Sequence, residues 1–280
     1  MALVQRHGAD VSGSESSPSI WNRVSWSDVF HGKMKHFYED FHSWATTVAE
    51  SSNAATYQSD HPWLSYEDTG DVPTVLATDD NGVLNLAIAA TDNNESWLQA
   101  GGSATSVMFT PKTKANSGTS IFFEARVNMS TLVGSMFVGL AQEGSAAADF
   151  IDDAGSDLAD KDYIGFLVDE DAPTIARFVY HKASGTAVNV STDVGHTFVA
   201  DTFVKLGFII DMEEGNSNRR IKVFVNGAEI GDAATNTQFE NTTDFPSGEE
   251  MHAIFGGKNN NAAKTVRCDW VRVAQYKSGN

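Results

Sequence analysis

From about residue 82 to residue 276 the chain is a succession of short segments in which apolar side chains recur at every second position. GVLNLAIAA at 82–90 places Leu84, Leu86 and Ile88 on one face. In SIFFEARVNM at 120–129, Ile121, Phe123, Ala125 and Val127 alternate with Phe122, Glu124, Arg126 and Asn128. The same period runs through SMFVGLAQ at 135–142, DYIGFLV at 162–168, TIARFVYHK at 174–182, FVKLGFIID at 203–211, RIKVFVNG at 220–227, MHAIFGG at 251–257 and TVRCDWVRVAQY at 265–276. A two-residue period is that of a strand with one face buried. Gly, Asn and Asp turns separate the segments, and Asn226–Gly227 suits a tight hairpin. About a dozen strands with no intervening helical pattern exclude an α/β fold and predict an all-β, two-sheet jelly-roll sandwich. At 280 residues the chain is long enough for one large domain of this kind.

The N-terminal part reads differently. Residues 1–20 are poor in apolar side chains, and VSGSESSPS at 11–19 has linker composition. The expected division is an extended arm over 1–35 and a sandwich over 36–280. Between Trp21 and Trp44 lie three of the six tryptophans. Phe30, Met34, Phe37, Phe41, Trp44 and Val48 follow a 4-3-4-3-4 spacing, which predicts an amphipathic helix capped by Ser27. The competing expectation is a short helix followed by an extended opening strand through HFYEDFHSW at 36–44.

Acidic side chains outnumber basic ones 37 to 19, a net charge of −18. Nucleic-acid binding is thereby excluded as an expectation, since it needs a basic surface to displace counterions. No run approaches the roughly 18 apolar residues that span a bilayer, and Met1–Asp10 lacks the apolar stretch of a signal peptide, so neither a membrane partner nor classical secretion is expected. One cysteine, Cys268, rules out an internal disulfide and a multi-cysteine zinc site. Set in register with Val266 and Trp270, it reads as a buried structural thiol.

Three segments resemble the concanavalin A-like lectin/glucanase sandwich: FYEDFHSW at 37–44, VKLGFIID with RRIKVFVNGAEI across 204–230, and the closing CDWVRVAQY at 268–276. A narrower resemblance links IFFEARVNMS at 121–130, MFVGLAQ at 136–142 and LADKDYIGFLVDED at 158–171 to tailed-phage virion proteins that decorate or cement the head. That resemblance implies a structural protein assembled in the host cytoplasm and bound to the capsid exterior. Its implied partners are the major capsid protein and sister copies, a trimer at local threefolds being one arrangement. Trp21, Trp26, Phe30 and Phe37 are the expected interface anchors, because interface energy concentrates in such side chains. The acidic charge fits the exterior, away from packaged nucleic acid.

Other chemistries leave weaker traces. Retaining glucanases of this fold carry a Glu-x-Asp-x-x-Glu strand with two carboxyls about 5–5.5 Å apart. The nearest approximation, IIDMEE at 209–214, has Asp211 and Glu214 in place but Ile209 where the nucleophile belongs. On that ground the chain is expected not to be an enzyme. The stretch 141–171 carries ten carboxylates against Lys161, and Asp152, Asp153, Asp157 and Asp160 are candidate calcium ligands; a solvated acidic loop with no cofactor is the competing expectation. The alternative function is a lectin-like carbohydrate-binding module on a tail or fibre, with Trp63 and Trp97 stacking on a sugar and Asn259 serving its hydroxyls. His31, His36 and His42 lack the spacing that places two imidazoles on one helix face.

Overall fold

The computed structural model describes residues 15–41, 56–57, 63–68, 73–75, 82–101, 108–111, 119–186, 188–191, 196–212, 219–234, 237–238 and 243–277. Two short helices, α1 (Pro18–Trp21) and α2 (Trp26–Phe30), precede the strands. These are β1 (Met34–Glu39), β2 (Thr56–Tyr57), β3 (Trp63–Glu67), β4 (Thr74–Val75), β5 (Leu84–Ile88), β6 (Glu95–Ala100), β7 (Ile121–Met129) and β8 (Ser135–Gln142). There follow β9 (Tyr163–Val168), β10 (Ala176–His181), β11 (Val188–Ser191), β12 (Val204–Asp211), β13 (Arg220–Val225), β14 (Ala228–Ala234), β15 (Met251–Lys258) and β16 (Lys264–Tyr276).

The strands form two eight-stranded sheets. The first runs β14-β13-β12-β7-β16-β5-β4 with β1 also on β16; the second runs β11-β10-β9-β8-β15-β6-β3-β2. The chain passes back and forth between the sheets, with β1, β4–β5, β7, β12–β14 and β16 in the first and β2–β3, β6, β8–β11 and β15 in the second, which gives the jelly-roll connectivity. One parity of each strand faces the other sheet. Phe123, Phe208, Val271 and Val273 meet Val138, Phe166, Phe178 and Phe255 in a single core, with Phe123 and Phe208 stacked at 4.9 Å.

A bulge at Asp269 organises the closing strand. Cys268 pairs with Val127 and Trp270 with Arg126, so Asp269 is the extra residue. Before it Val266 and Cys268 face the core, and after it Val271 and Val273 do; without the bulge the second pair would point outward. Cys268 and Trp270 therefore do not share a face as their spacing predicts. The bulge also divides one edge of β16 between β5, on Lys264–Cys268, and β1, on Val271–Tyr276. The Asp269 carboxylate is held by the Arg126 guanidinium at 2.5 Å.

The opening segment follows the second of its two expectations. α2 is five residues long, capped by Ser25 rather than Ser27, whose hydroxyl accepts the Asp28 N–H at 3.3 Å. Gly32 at φ 69° then turns the chain into β1. Trp44 and Val48 of the expected long helix lie outside the described residues. Residues 15–33, within the segment expected to project as an arm, lie against the outer face of the first sheet. Ile20, Trp21 and Val24 pack there on Phe122, Ile209 and Phe224. Gly207 permits this approach, since a Cβ there would stand 2.5 Å from Ile20 Cδ1. Glu124 fastens the segment: one carboxylate oxygen accepts the Ser17 N–H at 2.9 Å and Trp21 Nε1–H at 2.7 Å.

Candidate functional site

The outer face of the second sheet carries a linked set of buried polar groups, Glu95, Gln99 and Lys258 among them. Its floor is apolar, with Trp97, Phe137, Tyr163, Leu167 and Ile254 all buried on the parity opposite the main core. Residues 143–162 fold over that floor. Phe150 sets its ring edge-on to Trp97 at 5.1 Å and to Phe137 at 5.6 Å, and Ile151 and Leu158 join the same cluster.

Glu95 and Lys258 stand opposite each other in the β6–β15 register. Glu95 accepts Trp97 Nε1–H at 2.5 Å and the Asp149 N–H at 2.9 Å. The fully buried Lys258 Nζ lies 3.2 Å from Glu95, donates to the Ile151 carbonyl at 3.0 Å and to Asp153 at 2.8 Å, and lies 3.6 Å from Asp149. Burial pushes the Glu95 carboxyl up to about 7, against the opposing pull of Trp97 and Lys258. Burial also works against the Lys258 charge, but the Asp153 and Glu95 carboxylates more than reverse it and hold the ammonium above its ordinary value. Four residues along β6 and on the same face, Gln99 donates to the Ala141 and Gln142 carbonyls and accepts the Ser145 and Ala146 N–H groups. A carboxyl that titrates near neutrality beside a fixed ammonium is equipped to hold or release a proton at ordinary pH.

The structure redistributes the residues singled out from sequence. Trp21 is buried under the Arg272 guanidinium, 3.9 Å from its ring, and Phe37 lies in the main core against Trp63 at 5.5 Å. Both tie the chain to itself and are unavailable as anchors for another molecule. Trp26 and Phe30 are exposed, at 38% and 74%. None of the three sugar candidates offers a surface: Trp63 and Trp97 are 0% exposed, and Asn259 is buried with its amide on Ala89 and on the Asn94 N–H.

The four calcium candidates diverge. Asp152 caps the Ser156 and Asp157 N–H groups, Asp153 pairs with Lys258, Asp157 accepts the Leu158 N–H, and Asp160 accepts the Ser184 N–H. Among the described residues no group of three or more His, Cys, Asp or Glu is placed to hold a metal ion. Asp211 lies under the N-terminal segment, paired with Arg23 at 2.6 Å and Lys222 at 3.6 Å, while Glu213 and Glu214 lie outside the described residues. His36 is edge-on to Trp26 at 5.5 Å and accepts the Arg272 Nε–H at 3.1 Å; burial, then the Arg272 charge, lower its pKa to about 4. His42 lies outside the described residues.

Sequence reasoning missed Glu95, Gln99, Lys258 and Glu124. Each shares its strand's outward face with a large apolar side chain, Trp97 on β6, Ile254 on β15 and Phe122 on β7, and that mixture was the available signal.

No family model matches the chain, and no curated protein sequence does. Solved structures do match. An endo-1,3-β-glucanase from Streptomyces sioyaensis is 12% identical, covering 88% of this chain and 97% of its own, at a TM-score of 0.50. An endo-β-1,3-glucanase from Pyrococcus furiosus is 15% identical, with coverages of 87% and 94% and a TM-score of 0.50. Arcelin-5, a lectin-like defence protein from Phaseolus vulgaris, is 9% identical, with coverages of 88% and 100% and a TM-score of 0.51. The fold is thus the concanavalin A-like lectin/glucanase sandwich, and at these identities the likeness carries the fold alone. It corrects the expectation that the chain is not an enzyme. This sandwich is shared by endo-glucanases and lectin-like proteins, so a missing nucleophile at Ile209 is no ground for excluding catalysis elsewhere on it.

Proposed function

We propose that this protein is a structural virion component, a decoration or cement protein on the outside of a tailed-phage head, held there by its N-terminal segment. The observation that carries the reading is the surface around α2. Phe30 is 74% exposed, and Trp26 and Tyr38 are 38% and 49% exposed, so large aromatic side chains remain in water beside a segment otherwise tied down through Trp21 and Glu124. Exposed aromatics of this kind are the usual energetic centre of a protein interface. The resemblance of residues 121–171 to head-decorating proteins and the net charge of −18 point the same way.

The test is mass spectrometry of purified particles, counting copies against the major capsid protein, with a Trp26→Ser/Phe30→Ser double variant alongside. Hundreds of copies, lost in the variant while its fold persists, are expected. Absence from particles, or undiminished binding by the variant, overturns the assignment. A handful of copies would favour the lectin-like reading on a tail or fibre, for which the fold shared with arcelin-5 speaks.

A further inference from the structure

We propose that residues 143–162 form a lid that opens as one body over the outer face of the second sheet, with the Lys258 ammonium as its latch. The proposal is independent of the virion assignment.

The loop is built as a separate piece. Its neck is closed where the Gln142 N–H meets the Asp162 carbonyl at 2.9 Å and the Asp162 N–H meets Gln142 Oε1 at 2.9 Å. Inside, Ile151 and Leu158 form an isolated antiparallel bridge, the Asp152 N–H donates to the Asp157 carbonyl at 3.0 Å, and the Ala159 N–H donates to Phe150 at 2.9 Å. Like an Ω-loop, although longer, it has ends that are close and a body that carries its own contacts.

What fastens the body to the sheet is side chains. Gln99 holds the Ser145 and Ala146 N–H groups, and Glu95 holds the Asp149 N–H. Ser135 Oγ donates to the Gly155 carbonyl at 2.5 Å and Arg177 to the Ser156 carbonyl at 2.9 Å. One further backbone bond, from the Glu170 N–H to Gly155 at 3.2 Å, reaches a neighbouring turn rather than a strand. Lifting the body therefore breaks no rung of either sheet.

The latch is a cation enclosed in oxygens. Around Lys258 Nζ stand Asp153 at 2.8 Å, the Ile151 carbonyl at 3.0 Å, Glu95 at 3.2 Å and Asp149 at 3.6 Å. Three of the four belong to the lid, so this ammonium ties the acidic loop to β15 at three points, beside the bonds from Gln99, Glu95, Ser135 and Arg177 and those that His181 and Ser184 make to Lys161 and Asp160. Residues 143–162 carry seven carboxylates against Lys161, and their mutual repulsion favours opening once that charge is removed. The Asp149 and Asp153 side chains are 77% and 75% exposed, which lets salt reach the lid side of the latch. Opening uncovers Trp97, Phe137 and Tyr163 as an aromatic platform with Glu95 at its edge.

The test is native-state hydrogen exchange on the full chain, read by mass spectrometry in low denaturant. Peptides from 143–162 should exchange at least about tenfold faster than β8 and β15 and with little denaturant dependence, as a sub-global opening does. Lys258→Met should speed the loop by about another tenfold and leave β7 and β16 unchanged. Loop exchange that occurs only with global unfolding overturns the lid. A Lys258→Met effect spread evenly over all peptides, or absent from the loop, overturns the latch. If that variant does not fold, Asp153→Asn decides: neutralising this exposed partner of Lys258 should speed exchange in the loop and leave β7 and β16 unchanged, and an unchanged loop rate refutes the latch.

Discussion

Glu95 makes stability depend on pH in a direction that can be worked out. Its carboxyl titrates near 7 in the folded chain against 4.5 as a free side chain, because it is buried beneath the loop. Between those values the native state holds a proton that the unfolded state has released. Stability from this group is therefore complete below about pH 4.5 and is lost as the pH rises through about 7. At about 1.36 kcal/mol per pH unit the full loss is about 3 kcal/mol. About 2 kcal/mol of it falls between about pH 5.5 and 8, a window clear of the sequence pI of 4.6. Glu95→Gln cannot titrate and keeps an acceptor oxygen for only one of the Trp97 and Asp149 N–H groups; that lost bond offsets the variant equally at every pH, so the pH dependence of the difference between wild type and variant isolates this carboxyl.

The assay is urea unfolding followed by tryptophan fluorescence and circular dichroism at each pH, with the slope required to match between the two proteins. The wild-type free energy minus that of the variant should fall by about 2 kcal/mol from pH 5.5 to 8. A difference flat to within about 1 kcal/mol would show that Glu95 is solvated, and with it that the loop does not close over β6. A difference that rises with pH would show that the Lys258 ion pair outweighs burial, reversing the assignment of the larger force.

Three further outcomes follow from close contacts. Gly207→Val should cost about 1–3 kcal/mol in urea unfolding and admit trypsin at Arg23, because the new Cβ would stand 2.5 Å from Ile20 Cδ1 and lift α1; unchanged stability and protection would refute the packing described for α1. Glu124→Ala should destabilise more than Glu124→Gln, by about 1–3 kcal/mol, since alanine leaves Trp21 Nε1–H and the Ser17 N–H without their acceptor, and equal effects would count against that fastening. Cys268, fully buried with its thiol pushed up by burial, should resist alkylation in the native protein and react once it is unfolded, so native labelling within minutes would contradict its place in the core.

The sandwich was legible because its signal is local. Each strand's period of two states which side is buried, and β5, β7–β10, β12, β13, β15 and β16 fall in the segments where that period runs, whereas β2, β3, β4, β6, β11 and β14 lie outside them. The opening segment misled for an equally physical reason. Phe30 is exposed, Met34 lies against the outer face of the first sheet, and Phe37 and Phe41 enter the main core. Their helical spacing arises from a helix end, a turn at Gly32 and a strand in succession, each burying its apolar residue in a different place. The bulge at Asp269 was illegible in the same way, because one extra residue changes parity without changing composition.

Both outer faces carried a signal that the one-sided reading passed over. A strand buried on one face alternates, whereas β7 has Phe122 beside Phe123, β12 has Ile209 beside Ile210, and β8 has Phe137 beside Val138. Apolar residues at both parities require a third surface to cover the second face. The chain supplies one on each side: residues 18–34 over the first sheet, and Phe150, Ile151 and Leu158 of the acidic loop over the second. Those three side chains are what distinguish that loop from a solvated one, since seven carboxylates alone would hold it in water. Trp97 was offered to a sugar because a lectin-type site needs an aromatic side chain to stack on it, and nothing local in the sequence shows that a loop covers this one. With the loop in place its ring is packed against Phe150 and fully buried, and the question of a ligand there becomes a question about the Lys258 latch.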